Sequence, residues 1–159
     1  MSLEDLYREV ILDHYRSPRN KGHLGSPDAV AEGVNPLCGD ELTIELNFDG
    51  DRVSEVAIEG QGCSISQSSA SMMSEAIKGK TRGEIETLTQ KFRNMMSLDG
   101  EVDIGLDPER PGAVLGDLEA LQGVRKYPVR IKCASLGWNV LLEALDGERG
   151  TRSHLTRSR

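Results

Sequence analysis

Leu3, Leu6, Tyr7, Val10, Ile11, His14 and Tyr15 recur at steps of three and four residues. That spacing places them on one face of an amphipathic helix. Ser2 and Asp5 stand ahead of it at capping-box spacing, His14 and Arg16 suit its C-terminal end, and Ser17-Pro18 stops it. Residues 18–36 are rich in Gly, Pro and Asn and predict a meandering connection with a short strand at Ala29–Ala31. Leu42, Ile44, Leu46 and Phe48 then alternate with polar residues, and Val56 and Ile58 resume the alternation after Asp49-Gly50-Asp51. A period of two around a Gly-centred turn predicts an antiparallel hairpin, half-buried.

Gly60-Gln61-Gly62 ends the second strand, and Cys63 follows at once. Ser69, Met72, Met73, Ala76 and Ile77 return to helical spacing, with Ser68, Ser69, Ala70 and Ser71 keeping part of that helix thin enough for close approach to another backbone. Thr81 and Glu84 form a capping box for a further helix with Ile85, Leu88 and Phe92 inward. No period survives over residues 97–116, which predict a long surface loop. Leu118 and Leu121 suggest a short helix. Pro128 suits the first position of the last helix, whose apolar face is Leu136, Val140, Leu141 and Leu145 and whose end is Gly147. The sum is an α+β fold, with helices packed on one side of a small antiparallel sheet.

Composition adds bounds. An apolar fraction of 37% with 28% charged residues supports a packed core, and 4% aromatics make that core mostly aliphatic. No apolar run exceeds three residues, where a membrane helix needs about 20. Met1-Ser2-Leu3-Glu4-Asp5 lacks the basic and apolar regions of a secretory signal, so a cytoplasmic location is expected. A net charge of −7 argues against nucleic acid as the main partner, and nothing points to a membrane. Residues 148–159 hold four Arg, one Glu and a single large apolar residue. They predict a disordered basic tail behind one domain spanning residues 1–147.

The chain has three cysteines, an odd number at wide spacing, which fits reduced thiols rather than a disulfide framework. Cys38 and Asp40 precede the first long strand, Cys63 lies between a strand and a helix, and Cys133 falls in the opening turns of the last helix. Convergence of these four at one end of the sheet would suit a tetrahedral Zn²⁺. The alternative, that free cysteines serve as small buried hydrophobes, stays open at this point, because separations of 25 and 70 residues match no local zinc motif. Cys63 at a helix N-terminus would have its thiolate favoured by the partial positive charge there. Arg130 and Lys132 lie beside Cys133; Arg130 is a candidate to pair with Asp40 or to steady an incoming persulfide, whereas Lys132 reads as a surface residue. His14, His23 and His154 read as structural.

Asn35-Pro36-Leu37-Cys38-Gly39-Asp40 resembles the first cysteine motif of the IscU/NifU iron–sulfur assembly family. Gly60-Gln61-Gly62-Cys63-Ser64-Ile65-Ser66 resembles its second, and Pro128-Val129-Arg130-Ile131-Lys132-Cys133 its third. The scaffold branch carries His before the third cysteine, where this chain has Lys132, and lacks the stretch around residues 96–115. Both departures resemble the SufU branch. That resemblance implies a three-stranded antiparallel sheet, with one strand near Val30–Val34. It also implies zinc ligands Cys38, Asp40, Cys63 and Cys133, and sulfur acceptance at Cys38, with Cys133 as runner-up. The implied partners are a SufS-like cysteine desulfurase and a downstream iron–sulfur assembly scaffold. The implied alternative is a scaffold binding iron or a [2Fe–2S] cluster through the same cysteines.

Overall fold

The structure is a computed structural model that describes residues 2–97 and 105–148. The opening helix α1 spans Leu3–Arg16. Its capping box is formed: Asp5 N–H donates to Ser2 Oγ at 3.1 Å and Ser2 N–H to Asp5 Oδ2 at 3.4 Å. Three strands follow, β1 (Ala29–Asn35), β2 (Asp40–Asp49) and β3 (Arg52–Gln61), as an antiparallel sheet in that order. The expected three-residue strand is thus seven residues long. Its alternate positions Ala29, Ala31, Gly33 and Asn35 turn inward, a period that small residues carry too weakly to be read from hydrophobicity.

Asp49-Gly50-Asp51 makes the β2–β3 turn, with a bulge between Asn47 and Phe48. One face, including Leu42, Ile44, Leu46 and Ile58, is buried. The opposite face, with Val30, Glu32, Val34 and Glu41, is exposed. Helices α2 (Ser64–Ile77), α3 (Arg82–Met96) and α4 (Pro128–Glu148) complete the domain. Helices α2 and α4 pack together over the buried sheet face, and α3 joins on α4, where Phe92 stacks on Trp138 at 4.8 Å.

Two expectations need correction. The short helix is an 11-residue 3₁₀ segment, Gly116–Lys126. The last helix runs through Gly147 to Glu148, a residue assigned above to the tail; helical backbone geometry tolerates glycine at a modest cost. The long loop has no helix or strand over residues 105–115, yet it is anchored. Buried Glu119 accepts amide N–H bonds from Gly112, Val114 and Leu115 at 2.8–2.9 Å. Residues 98–104, and the tail from residue 149 with His154, lie outside the described residues. No helix among the described residues is long and apolar enough to cross a membrane.

His14 is fully buried. Its Nδ1 lies 2.7 Å from Ser71 Oγ on α2, and its Nε2 lies 2.9 Å from Asp117 Oδ2 on the 3₁₀ segment. This ties α1 to two later elements, the structural role expected of it. His23 pairs with Glu45 on the exposed sheet face at 3.0 Å.

Candidate metal centre

The first motif folds as a hairpin loop. Asn35 and Asp40 are paired across β1 and β2, and residues 36–39 turn between them. Cys38 N–H closes the turn on the Asn35 carbonyl at 3.2 Å, and Gly39 takes the left-handed φ of +70°. Cys38 is thereby held at the loop, half-buried, while Asp40 at the first position of β2 is fully buried.

The second motif enters beside it. Gln61, the last residue of β3, pairs with Glu41, so Gly62 passes directly by Asp40. A Cβ on Gly62 would sit 2.5 Å from Asp40 Oδ1 and 2.9 Å from Asp40 Cα, on a φ of +152°; only glycine fits there. Cys63 is then the N-cap of α2: its backbone N–H donates to Asp40 Oδ1 at 2.9 Å, and its Sγ accepts from Ser66 N–H at 3.5 Å.

The third motif arrives on a helix wall. Cys133 lies in the second turn of α4 and is fully buried. Ser69 Oγ on α2 donates to the Ala134 carbonyl at 2.7 Å, a buried bond that fixes the two helices one residue beyond the cysteine. The thin stretch of α2 is fully buried from Ser68 to Ser71, which is the close approach expected of it.

These placements bring Cys38, Asp40 and Cys133 together, with one ligand atom from each within 4.8 Å of the others. Cys133 Sγ lies 3.2 Å from Cys38 Sγ. Cys63 adjoins the triplet through its amide on Asp40, and its thiol interacts with Asp40 and Cys133. Burial raises the Asp40 carboxyl; the hydrogen bond from the Cys63 amide and those from Cys133, Ser66 and Cys63 outweigh it and hold the group below its ordinary range. Burial pushes the Cys133 thiol far up, reinforced by Cys38, Asp40 and Cys63.

The donor set fits a divalent cation. Asp40 favours its ionised form while fully buried, and no Lys or Arg among the described residues pairs with it. Buried charges in proteins are paired or coordinate metals. Two sulfurs and one carboxylate oxygen are ligand types that Zn²⁺ takes, and the Cys63 thiol, outside that triplet, adjoins them.

Arg130 makes no ion pair with Asp40. It lines a neighbouring groove of about 610 Å³ with Tyr7, Ile65, Val124 and Tyr127, between α1, the 3₁₀ segment and the starts of α2 and α4. Lys132 is exposed, as expected. Sequence reasoning missed Asn35 and Ser66, both buried beside Asp40. The signal for Asn35 was its place opposite Asp40 once the loop is read as a hairpin.

Known proteins resemble the chain over most of its length. The zinc-dependent sulfurtransferase SufU of Bacillus subtilis (strain 168) is 46% identical over 149 residues, 94% of this chain and 95% of the relative. The iron–sulfur cluster assembly scaffold protein IscU of Streptococcus pyogenes serotype M1 is 38% identical over 155 residues, 97% of this chain and 91% of the relative. The crystal structure of FiSufU from thermophilic Fervidobacterium islandicum AW-1 superposes with a TM-score of 0.76 at 39% identity, over 86% of this chain and 94% of that one. Residues 6–144 match the NifU-like N terminal domain, and the chain belongs to that family.

Proposed function

We propose that this protein is a zinc-dependent sulfurtransferase that accepts persulfide sulfur from a SufS-like cysteine desulfurase for iron–sulfur cluster assembly. The observation that carries the reading is the unequal burial of two touching thiols. Cys133 is sealed in the core with Asp40, whereas Cys38 lies 3.2 Å away on a loop that reaches the surface. A relay needs one sulfur within reach of a partner and others that stay put.

Cys38, Asp40, Cys63 and Cys133 would hold the zinc. When bound, the ion would keep the thiols ionised. The chain's own part is the exchange at Cys38. Its sulfur attacks the outer sulfur of the desulfurase persulfide, forming Cys38–S–SH and returning the desulfurase cysteine as thiolate. Gly39, already in the left-handed region, gives the Cys38 loop the backbone freedom for that approach. Arg130, half-buried on the adjoining groove with no side-chain partner among the described residues, stands where it can steady the incoming persulfide. The groove and the exposed Leu37, Tyr127 and Val129 around the thiols support a protein partner at this end of the molecule.

Lys132, in place of the scaffold branch's His, favours this reading over assembly of a [2Fe–2S] cluster on the same cysteines. The test is a desulfurase assay with free cysteine, paired with metal analysis. A colourless protein with about one zinc per chain should stimulate the desulfurase, and Cys38→Ala should abolish the stimulation. Sulfur transfer that survives in Cys38→Ala and is lost in Cys133→Ala would move the acceptor role to Cys133. A brown protein carrying iron and sulfide, able to hand its cluster to an apo-protein, would replace the reading with the scaffold.

A further inference from the structure

Asn35 ends β1 and is only 7% exposed. Its Nδ2 lies 3.2 Å from Asp40 Oδ2 and 3.5 Å from Cys133 Sγ. The orientation of the amide is settled by its neighbour. An ionised carboxylate only accepts, so the NH₂ end must face Asp40, and its second hydrogen is then free for the sulfur. The other carboxylate oxygen already takes the Cys63 amide. One carboxamide therefore braces two of the four ligands, one at the start of a strand and one on a helix 98 residues away in sequence.

Cys38 is treated differently. Asn35 meets it only through the backbone, where the Asn35 carbonyl accepts the Cys38 N–H. Among the described residues, no N–H or hydroxyl donates to Cys38 Sγ; the hydrogen bond it accepts comes from the Cys133 thiol, a weak donor. A hydrogen bond donated to sulfur draws on the lone pair that would attack. Cys133 takes the Asn35 amide and is shut in by burial, whereas Cys38 takes only the weak S–H donor of Cys133 and is half-buried.

We propose that Asn35 is a positioning residue that assigns the roles of the two touching thiols, fixing Cys133 as a resident holder and leaving Cys38 as the sulfur acceptor. The proposal rests on the sulfurtransferase reading and deepens it. Groups that orient metal ligands in this way are worth about 10–100-fold in metal affinity or activity.

The experiment uses three variants of the full chain. Asn35→Asp keeps the shape and removes the donors, Asn35→Ala removes the side chain, and Asn35→Ser retains one hydroxyl donor. Each is incubated with a cysteine desulfurase and cysteine, alkylated, and mapped by peptide mass for the added sulfur. Zinc retention is read in parallel by competition with a chromogenic chelator. In the unsubstituted protein sulfur should sit on Cys38. In Asn35→Asp and Asn35→Ala a comparable share should appear on Cys133 and zinc retention should fall about 10–100-fold, with Asn35→Ser between. Sulfur confined to Cys38 in the Asp and Ala variants overturns the proposal, whether or not zinc is weakened. If Asn35→Ala does not fold, the isosteric Asp variant decides. Absence of sulfur on every cysteine of the unsubstituted protein would instead remove the sulfurtransferase reading, and this proposal with it.

Discussion

Two buried polar clusters flank α2, and they differ in what they lack. Around His14 every group meets a partner supplied by the chain. Ser71 Oγ takes the Arg19 N–H as well as the imidazole, Asn20 Nδ2 donates to Ser74 Oγ, and Ser74 donates to the Ser71 carbonyl. The carboxylates near it, Asp117 and Glu75, are half-exposed, and the Arg19 guanidinium lies 3.9 Å from Glu75. His14, Glu75 and Asp117 have the spacing of a metal site, but both ring nitrogens are engaged and a cation is already at hand. Around Cys133 the count runs the other way. Sulfurs and a buried carboxylate crowd together, and the donors among the described residues are amides, the Ser66 hydroxyl and the thiols themselves. The first cluster is complete as polypeptide; the second is built for a positive ion.

The contrast can be broken most forcefully by removing the metal. Apparent binding energies of structural zinc run to roughly 10–16 kcal/mol, against roughly 5–15 kcal/mol for a whole domain. A chelator that strips zinc should therefore lower Tm by well over about 10 °C in a calorimetric scan. An unchanged melting curve with zinc shown to be absent would erase the distinction. Next in size is His14→Ala, which takes one of two partners from buried Ser71 and unties α1. A loss of about 3 kcal/mol in denaturant unfolding is expected, with zinc content unchanged; loss of zinc as well would mean that the two clusters are one. Gly62→Ala tests the other side, since its Cβ meets Asp40 at 2.5 Å. A cost of about 2 kcal/mol is expected, together with weaker zinc retention, and normal retention would show that Asp40 can move aside.

The smallest effect belongs to neither cluster and serves as a reference. The hydrogen bond to Glu45 raises the exposed His23 above its usual value. A raised folded-state pKa gives stability that is present below about pH 6.5 and is lost as pH rises through the folded value. His23→Ala should remove that slight slope between pH 5.5 and 8.5 in urea midpoints and leave the metal untouched. A slope that survives would belong to another group.

Much of the architecture was legible because periodicity records which face of an element is dry. Leu42 to Phe48 announced β2, and the boxes at Ser2 and Thr81 fixed two helix starts to the residue. β1 was harder, because its inward positions are two alanines, a glycine and an asparagine. The cysteines could be placed at element ends from the residues alone, but their meeting rested on the family resemblance, because no local rule spans the 95 residues between Cys38 and Cys133. The braces between them were hidden for the same reason. Asn35, Ser66 and Ser69 are ordinary polar residues whose meaning lies in tertiary partners. Glu119, charged and wholly enclosed, looked like any helix-surface glutamate.

The Ser69 hydroxyl sets the separation of α2 and α4 at the level of Ala134, and one turn further along a Cβ placed on Gly137 would lie 3.5 Å from Ala70. This seam carries no ligand, yet it is the hinge pin on which Cys133 is hung. Bulk introduced at Ser69 or Ala70, or beyond a methyl at Gly137, would prise the helices apart and draw Cys133 away from the hairpin loop. In a screen of variants for metal retention, enlargements at these positions should therefore score among the ligand substitutions themselves, so that tolerance to side-chain size along a silent interface becomes a map of how firmly the ion is held.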